Sequence, residues 1–422
     1  MNVLETIRQT ARVAGHAGRT WMHGHVRDDP FSLLMMGAGR RDPYTCYRRL
    51  RTQGPLSRST SGVWAVTGHR LCDRVLRDRR FGVRIAPYRR DDSEPLAYRP
   101  GAEADFSLLS LDPPDHGRVR RLAAPAFSPK MMARYRPGIE RITGELLDRA
   151  AGRGRFDLMA EVAAPLPIAV ISELLGIPDE HAGPFREYGA VVAGSLDGVP
   201  SLRTARALGP ATRALEELFA DLLRQRAARP CEDVLSRLAA DLGAERISPR
   251  EVLGLCRILL IAGFETTVNL IGNGMLALLD HPAQWALLRA NPELAGQVVE
   301  EVLRYDSPVQ ATLRYAQEDL YLAGRRIAAR DPVYVLIGAT GRDPSVFTDP
   351  DRFDIMRTSG PDHLAFGSGP HYCLGAPLAR LEGEIFFRTV VARLPGLVRA
   401  GEPEHRATMA VRGLARLPVR PG

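Results

Sequence analysis

Phe366-Gly-Ser-Gly-Pro-His-Tyr-Cys-Leu-Gly375 is the stretch on which the reading of this 422-residue chain turns. A cysteine stands between a glycine-rich loop and an apolar helical pattern. Leu374, Leu378, Leu381 and Ile385 recur at spacings of four, three and four, one face of a helix starting at Leu374. Glycine carries no Cβ, so such a loop lets the backbone approach a large planar ligand. A helix N-terminus offers free N–H groups and the positive end of its dipole, and both stabilise a thiolate at Cys373. The plain alternative is a buried cysteine acting as a small hydrophobe.

The ten residues resemble the haem-binding loop of the cytochrome P450 superfamily, whose pattern reads Phe-Gly-x-Gly-x-His-x-Cys-x-Gly. Phe366, Gly367, Gly369, His371, Cys373 and Gly375 fill every fixed position. The resemblance implies a mainly α, single-domain cytochrome P450 fold with small β-sheets. It also implies a haem b cofactor (iron protoporphyrin IX), with the Cys373 thiolate as its axial ligand and Phe366 and Gly375 in contact with it.

Three further motifs occur in the family's order. Residues 253–279 read as one long apolar helix with an unusual island at its centre, Ala262-Gly-Phe-Glu-Thr-Thr267. Gly263 costs roughly 1 kcal/mol relative to Ala in a helix interior, and a buried carboxylate costs more unless partnered. Small residues there open a groove for a flat cofactor. Taken alone, Thr266 could equally bond back one turn while Glu265 caps a kink. The island resembles the family's oxygen-binding motif, Ala-Gly-x-(Asp/Glu)-Thr. That assigns Ala262 to the cofactor and Glu265 and Thr266 to proton delivery. His116 and Arg120, four apart on one helix face, suit an anion. They match the family's His-x-x-x-Arg propionate motif, and Arg314 and His371 match further propionate ligands. Glu301-Val-Leu-Arg304 resembles the family's structural Glu-x-x-Arg pair, for which Arg352 in Pro350-Asp-Arg-Phe353 is the matching second arginine.

The bulk numbers narrow the function classes. Five cysteines (46, 72, 231, 256 and 373) include no Cys-x-x-Cys pair, so neither a zinc ribbon nor a ferredoxin-type cluster is encoded. A cytoplasmic setting fits. The formal charge is +8, and Lys130 is the only lysine. No clustered arginines with interleaved aromatics point to nucleic acid, so an acidic protein partner is favoured. No apolar stretch reaches the length of a membrane-spanning helix, and no membrane anchor is expected. Gly272-Asn-Gly-Met-Leu-Ala277 matches a dinucleotide pattern but lies inside a helical stretch, and is rejected as a nucleotide site.

Residues 1–40 read as an N-terminal extension and 41–422 as the haem domain. A strand is expected at 63–67, an irregular loop at 84–110, mostly helix from about 114 to 305, and strands at about 313–322 and 331–337. Helix breaks are expected at Gly176-Ile-Pro-Asp179, at 196–200 and at Arg229-Pro230. The resemblance implies a monomeric monooxygenase that hydroxylates or epoxidises a lipophilic small molecule, such as a terpene, polyketide, steroid or fatty acyl group. Electrons would come from NAD(P)H through a ferredoxin reductase and a ferredoxin. Arg118, Arg121 and Arg380 are expected to ring the face where the electron enters. The pocket is expected to draw on 84–110, 180–205, 259–266, 309–313 and 409–412, with Gln310 and Thr312 as polar handles. Alternatives are an oxidative-coupling enzyme, a peroxygenase and a non-catalytic haem sensor; the intact Glu265–Thr266 pair argues against the last two.

Overall fold

Ser248-Pro-Arg-Glu251 starts the longest helix in the chain. The Ser248 hydroxyl accepts from the Glu251 N–H, the Glu251 carboxylate accepts from the Ser248 N–H, and Pro249 supplies a preset first turn. The helix then runs without interruption for 32 residues, Pro249–Asp280. The computed structural model describes residues 22–85, 108–193, 202–406 and 408–422. Most of the loop expected at 84–110, and the helix break at 196–200, lie outside the described residues.

Twelve helices of nine residues or more are present among the described residues. In chain order they are α1 (Pro43–Thr52), α2 (His69–Arg77), α3 (Asp115–Ala123), α4 (Pro129–Ala151), α5 (Pro165–Leu175), α6 (Asp179–Ala193), α7 (Leu202–Ala228), α8 (Val234–Gly243), α9 (Pro249–Asp280), α10 (Pro282–Ala290), α11 (Ala295–Tyr305) and α12 (Ala376–Arg393). The break at 176–179 is a left-handed Gly176 that caps α5. The break at 229–230 ends α7 at Ala228.

The largest sheet has five strands in the order β1 (Leu56–Arg58), β2 (Trp64–Val66), β8 (Pro332–Val335), β5 (Thr312–Ala316) and β3 (Phe81–Gly82). β2 and β8 pair in parallel, Trp64 opposite Val333, across more than 260 residues of chain. The strand expected at 313–322 is two strands in different sheets, β5 and β6 (Leu320–Leu322). Gln317 turns away from the ladder between them, and its side chain donates to the carbonyls of Arg84 and Tyr315.

The core is one large helical cluster around α9, which packs against α5, α6, α11 and α12. Gly274 lets α9 approach α12, since a Cβ there would strike the Phe387 ring. That packing role accounts for the rejected Gly-x-Gly pattern. By length and composition α9 could cross a membrane, contrary to the expectation of no such stretch. About two-thirds of its apolar window is buried within the protein, which makes it a core helix. Phe31 and Leu34 pack into a smaller cluster with Tyr47, Leu50, Leu336 and Ala339.

Candidate active site

The cysteine loop is a hairpin of backbone closed on itself. The Cys373 N–H donates to the Phe366 carbonyl at 2.8 Å, and the Tyr372 N–H to that of Gly369 at 3.1 Å. Gly367 and Gly369 hold φ of 72° and 67°, left-handed values that favour glycine. At Gly369 a Cβ would also press on the backbone of Leu76 at the end of α2. The glycine therefore serves the contact with α2. Ser368 donates to Asp73 of α2 at 2.6 Å, a second tie. The helix begins at Ala376 with Gly375 as its cap, so Cys373 stands two residues ahead of the cap. Burial pushes the Cys373 thiol up, against the pull of the Gly375 and Ala376 N–H groups and of Arg120 and Arg380. The helix end alone therefore does not make the expected thiolate. A bound metal would, since a coordinating thiol is deprotonated outright.

A cationic cluster lies beside the loop. His116 and His371 stack with ring centroids 4.1 Å apart. Burial holds both imidazoles below their usual range, His371 at about 3, with Arg120 and Arg314 adding to the effect. Both rings are thus neutral at pH 7 and carry one N–H each. Arg314 is buried, which lowers it to about 10, and among the described residues it bonds only to Thr312 Oγ1 and the Leu313 carbonyl. Among the described residues, none of the four is in an ion pair. Asp112 lies within electrostatic reach of His116 and Arg314, but its oxygens accept from the Val83 and Arg84 N–H groups, and the two guanidiniums and two imidazoles form an anion site.

The central helix supplies the third element. Ala262, Gly263 and Thr266 are half-buried while Phe264, Glu265 and Thr267 are buried. Thr266 Oγ1 donates to the Ala262 carbonyl at 2.6 Å, the bond back one turn that its residue type allows. Glu265 caps no kink, because the helix is continuous. It pairs instead with Arg406, and Asn269 Nδ2 lies 3.5 Å from the same oxygen. Gly263 lies where α9 meets α5. A Cβ there would meet Ile171 of α5, so it serves helix packing.

The family model described as Cytochrome P450 matches residues 223–409. The cytochrome P450 monooxygenase PikC of Streptomyces venezuelae is 41% identical over 392 residues, 90% of this chain and 91% of that protein. The chain belongs to the cytochrome P450 superfamily. The 6-deoxyerythronolide B hydroxylase of Saccharopolyspora erythraea is 36% identical, covering 90% of this chain and 96% of that protein. Among solved structures, P450BioI in complex with hexadec-9Z-enoic acid ligated acyl carrier protein superposes with a TM-score of 0.82 at 37% identity. That alignment covers 91% of this chain and all of the other. The fold is the mainly α, single-domain fold of a P450, and the protein is an oxidoreductase of the monooxygenase type.

As a P450, the chain departs from several expectations. The Glu301–Arg304 pair is buried and bidentate, at 2.7 and 2.8 Å. Arg304 also donates to the carbonyls of Gly341, Pro350 and Arg352, which uses all five of its N–H groups. The second arginine is Arg357, not Arg352. Arg357 approaches Glu301 to 3.5 Å and donates to the carbonyls of Thr348, Asp349 and Arg352. The Arg352 side chain is 65% exposed and reaches Asp354; only its carbonyl joins the lock. Of the arginines expected to meet a partner, Arg118 is tied to Glu251 and Asp115, and Arg380 to Glu300. Arg121 is exposed. Gln310 is fully buried, accepting from Tyr47 at 2.8 Å and donating to the Ser307 carbonyl at 2.7 Å, and is no substrate handle. Thr312 is taken up by Arg314. Arg412 pairs with Asp306 and belongs to the frame rather than the pocket.

The residues fit haem. Cys373 offers sulfur, and the anion site offers N–H groups that, among the described residues, are in no ion pair. The half-buried Ala262 and Thr266 share one face of α9, four residues apart.

Proposed function

We propose that the protein inserts one atom of O₂ into a lipophilic polyketide or fatty acyl substrate of secondary metabolism, by hydroxylation or epoxidation. Haem b is the proposed cofactor, with Cys373 as its ligand. Bound there, it would supply O₂ activation and oxygen transfer. The observation that carries this reading is the anion site of His116, Arg120, Arg314 and His371 beside a fully matched cysteine loop. In our reading Arg120 and Arg314 neutralise the two propionates, and His116 and His371 each donate one hydrogen bond. Phe366 and Gly375 pack against the cofactor, and Ala262 leaves room above it.

Glu265 and Thr266 are the proposed proton donors. The Thr266 hydroxyl donates to Ala262 at rest, so it must turn from that carbonyl to deliver a proton. Glu265 is buried, and the half-exposed Arg406 joins it to the surface. The substrate class rests on the names of the macrolide- and acyl-directed relatives and on the half-buried apolar residues Leu259 and Ile261, which precede Ala262 on α9. We propose a single haem domain, 41–422, preceded by the 1–40 extension, of which Phe31 and Leu34 pack on that domain. Electrons would come from a ferredoxin and its NAD(P)H-dependent reductase, the ferredoxin docking near Arg121. Reconstitution under ¹⁸O₂ tests the reading. One labelled oxygen per product supports it; product without label, or no turnover across acyl and macrolide substrates, overturns it.

A further inference from the structure

Glu300, His363 and Arg380 come from three separate segments and converge on the first residue of the cysteine loop. Arg380, on α12, bonds Glu300 of α11 through two N–H groups at 2.7 and 3.1 Å. Its third nitrogen donates to the Tyr372 hydroxyl at 3.2 Å. The guanidinium carbon lies 4.6 Å from the centre of the Phe366 ring. His363 closes the circuit. Its Nδ1 accepts from the Ala365 N–H at 3.3 Å, so its Nε2 carries the proton and donates to Glu300 at 3.1 Å. The His363 ring lies 5.8 Å from the Phe366 ring, tilted by 51°. The Phe366 carbonyl in turn accepts the Cys373 N–H.

The arrangement does more than brace a loop. A guanidinium and a carboxylate cancel at long range, but the cation is the member that lies against the cysteine loop. Arg380 reaches the hydroxyl of Tyr372, the residue directly before Cys373. Burial alone would raise the Glu300 carboxyl, yet His363 and Arg380 hold it at about 2, so the pair is ionised at every working pH. Reduction of a ligated iron adds one negative charge, and a nearby cation favours the reduced form.

We propose that Arg380, held by Glu300 and His363 against the Phe366 ring, is a positioning residue that raises the reduction potential of the thiolate-ligated iron, and that Glu300 limits the rise. The proposal rests on the haem-thiolate reading of Cys373. It turns Arg380 from a partner contact into a tuning residue.

The test is potentiometric titration of the haem-loaded protein and its variants. Arg380→Gln removes the cation and lowers the potential. Glu300→Gln removes the counter-charge and raises it. Each shift is on the order of threefold to tenfold in the ferric–ferrous equilibrium, the tenfold end being about 59 mV for one electron. Arg380→Lys keeps the charge and stays near the parent. Arg388→Gln, two turns further along α12, leaves the potential unchanged. A purely structural clamp predicts that both main variants weaken the loop and shift the same way. Same-sign shifts, or none, overturn the proposal. If Arg380→Gln fails to hold haem, the sign of the Glu300→Gln shift decides alone. The carbon monoxide spectrum of the parent protein tests the underlying reading separately.

Discussion

Replacing Glu382 with Gln should change how stability depends on pH, and the structure sets the size of the change. Glu382 sits on the cysteine helix nine residues past Cys373 and is 1% exposed. Among the described residues, its Oε2 has no hydrogen-bond partner. Burial pushes its carboxyl up from the usual 4.5 to about 8. The sign follows from linkage. A folded-state pKa above the unfolded value means that stability is fully present below about 4.5 and is lost as pH rises toward 8. At about 1.4 kcal/mol for each factor of ten, the loss by pH 8 is on the order of 3 to 5 kcal/mol. Gln keeps the shape and cannot ionise, so Glu382→Gln abolishes that loss. Urea unfolding of both proteins at pH 5 and pH 8 measures it. The variant should match the parent at pH 5 and exceed it clearly at pH 8. Parallel pH curves would refute the reasoning, because they would mean that the carboxyl finds a charge partner or water.

Other consequences follow from the same geometry. Arg357→Ala leaves Glu301 with one fewer cation and takes a donor from the carbonyls of Thr348, Asp349 and Arg352, of which Asp349 keeps the Arg352 N–H and Arg352 keeps Arg304, so it should cost about 3 kcal/mol and lower haem retention. Arg352→Ala should stay within about 0.5 kcal/mol, since that side chain is mostly exposed; thermal melts of the two variants compare them. Thr266→Ala should keep haem binding and NAD(P)H consumption while product per NAD(P)H falls several-fold and peroxide rises. A fall in Thr267→Ala instead would move the role. Arg121→Glu should slow ferredoxin-supported reduction at low salt and little at high salt. Arg118→Glu should instead destabilise the fold, because it faces the buried Glu251.

What the sequence made legible was local. The cysteine loop, the capped helix α9 and the His116–Arg120 turn each lie within a few consecutive residues, and periodicity and motif suffice to find them. What stayed hidden was set by distant chain. Arg352 and Arg357 look equivalent along the sequence, and the path of the 348–357 segment decides which one turns toward Glu301. Arg406 lies 141 positions from Glu265, and only the fold brings the two together. Burial likewise overrode local rules. A cysteine just ahead of a helix end looks poised as a thiolate, yet Cys373 is pushed the other way by its surroundings. Gly263 looks like an opening for a ligand, but the neighbour it accommodates is Ile171. The parallel β2–β8 pairing has no local signature at all.

The central claim is that Cys373 ligates haem iron as a thiolate. The most direct measurement is the absorption spectrum of the reduced, carbon-monoxide-bound protein beside its Cys373→His variant. The account predicts a strongly red-shifted Soret band in the parent that vanishes in the variant. The same band should survive when Cys46, Cys72, Cys231 and Cys256 are each replaced by Ser or Ala. A parent without that band, or a variant that keeps it, would contradict the account.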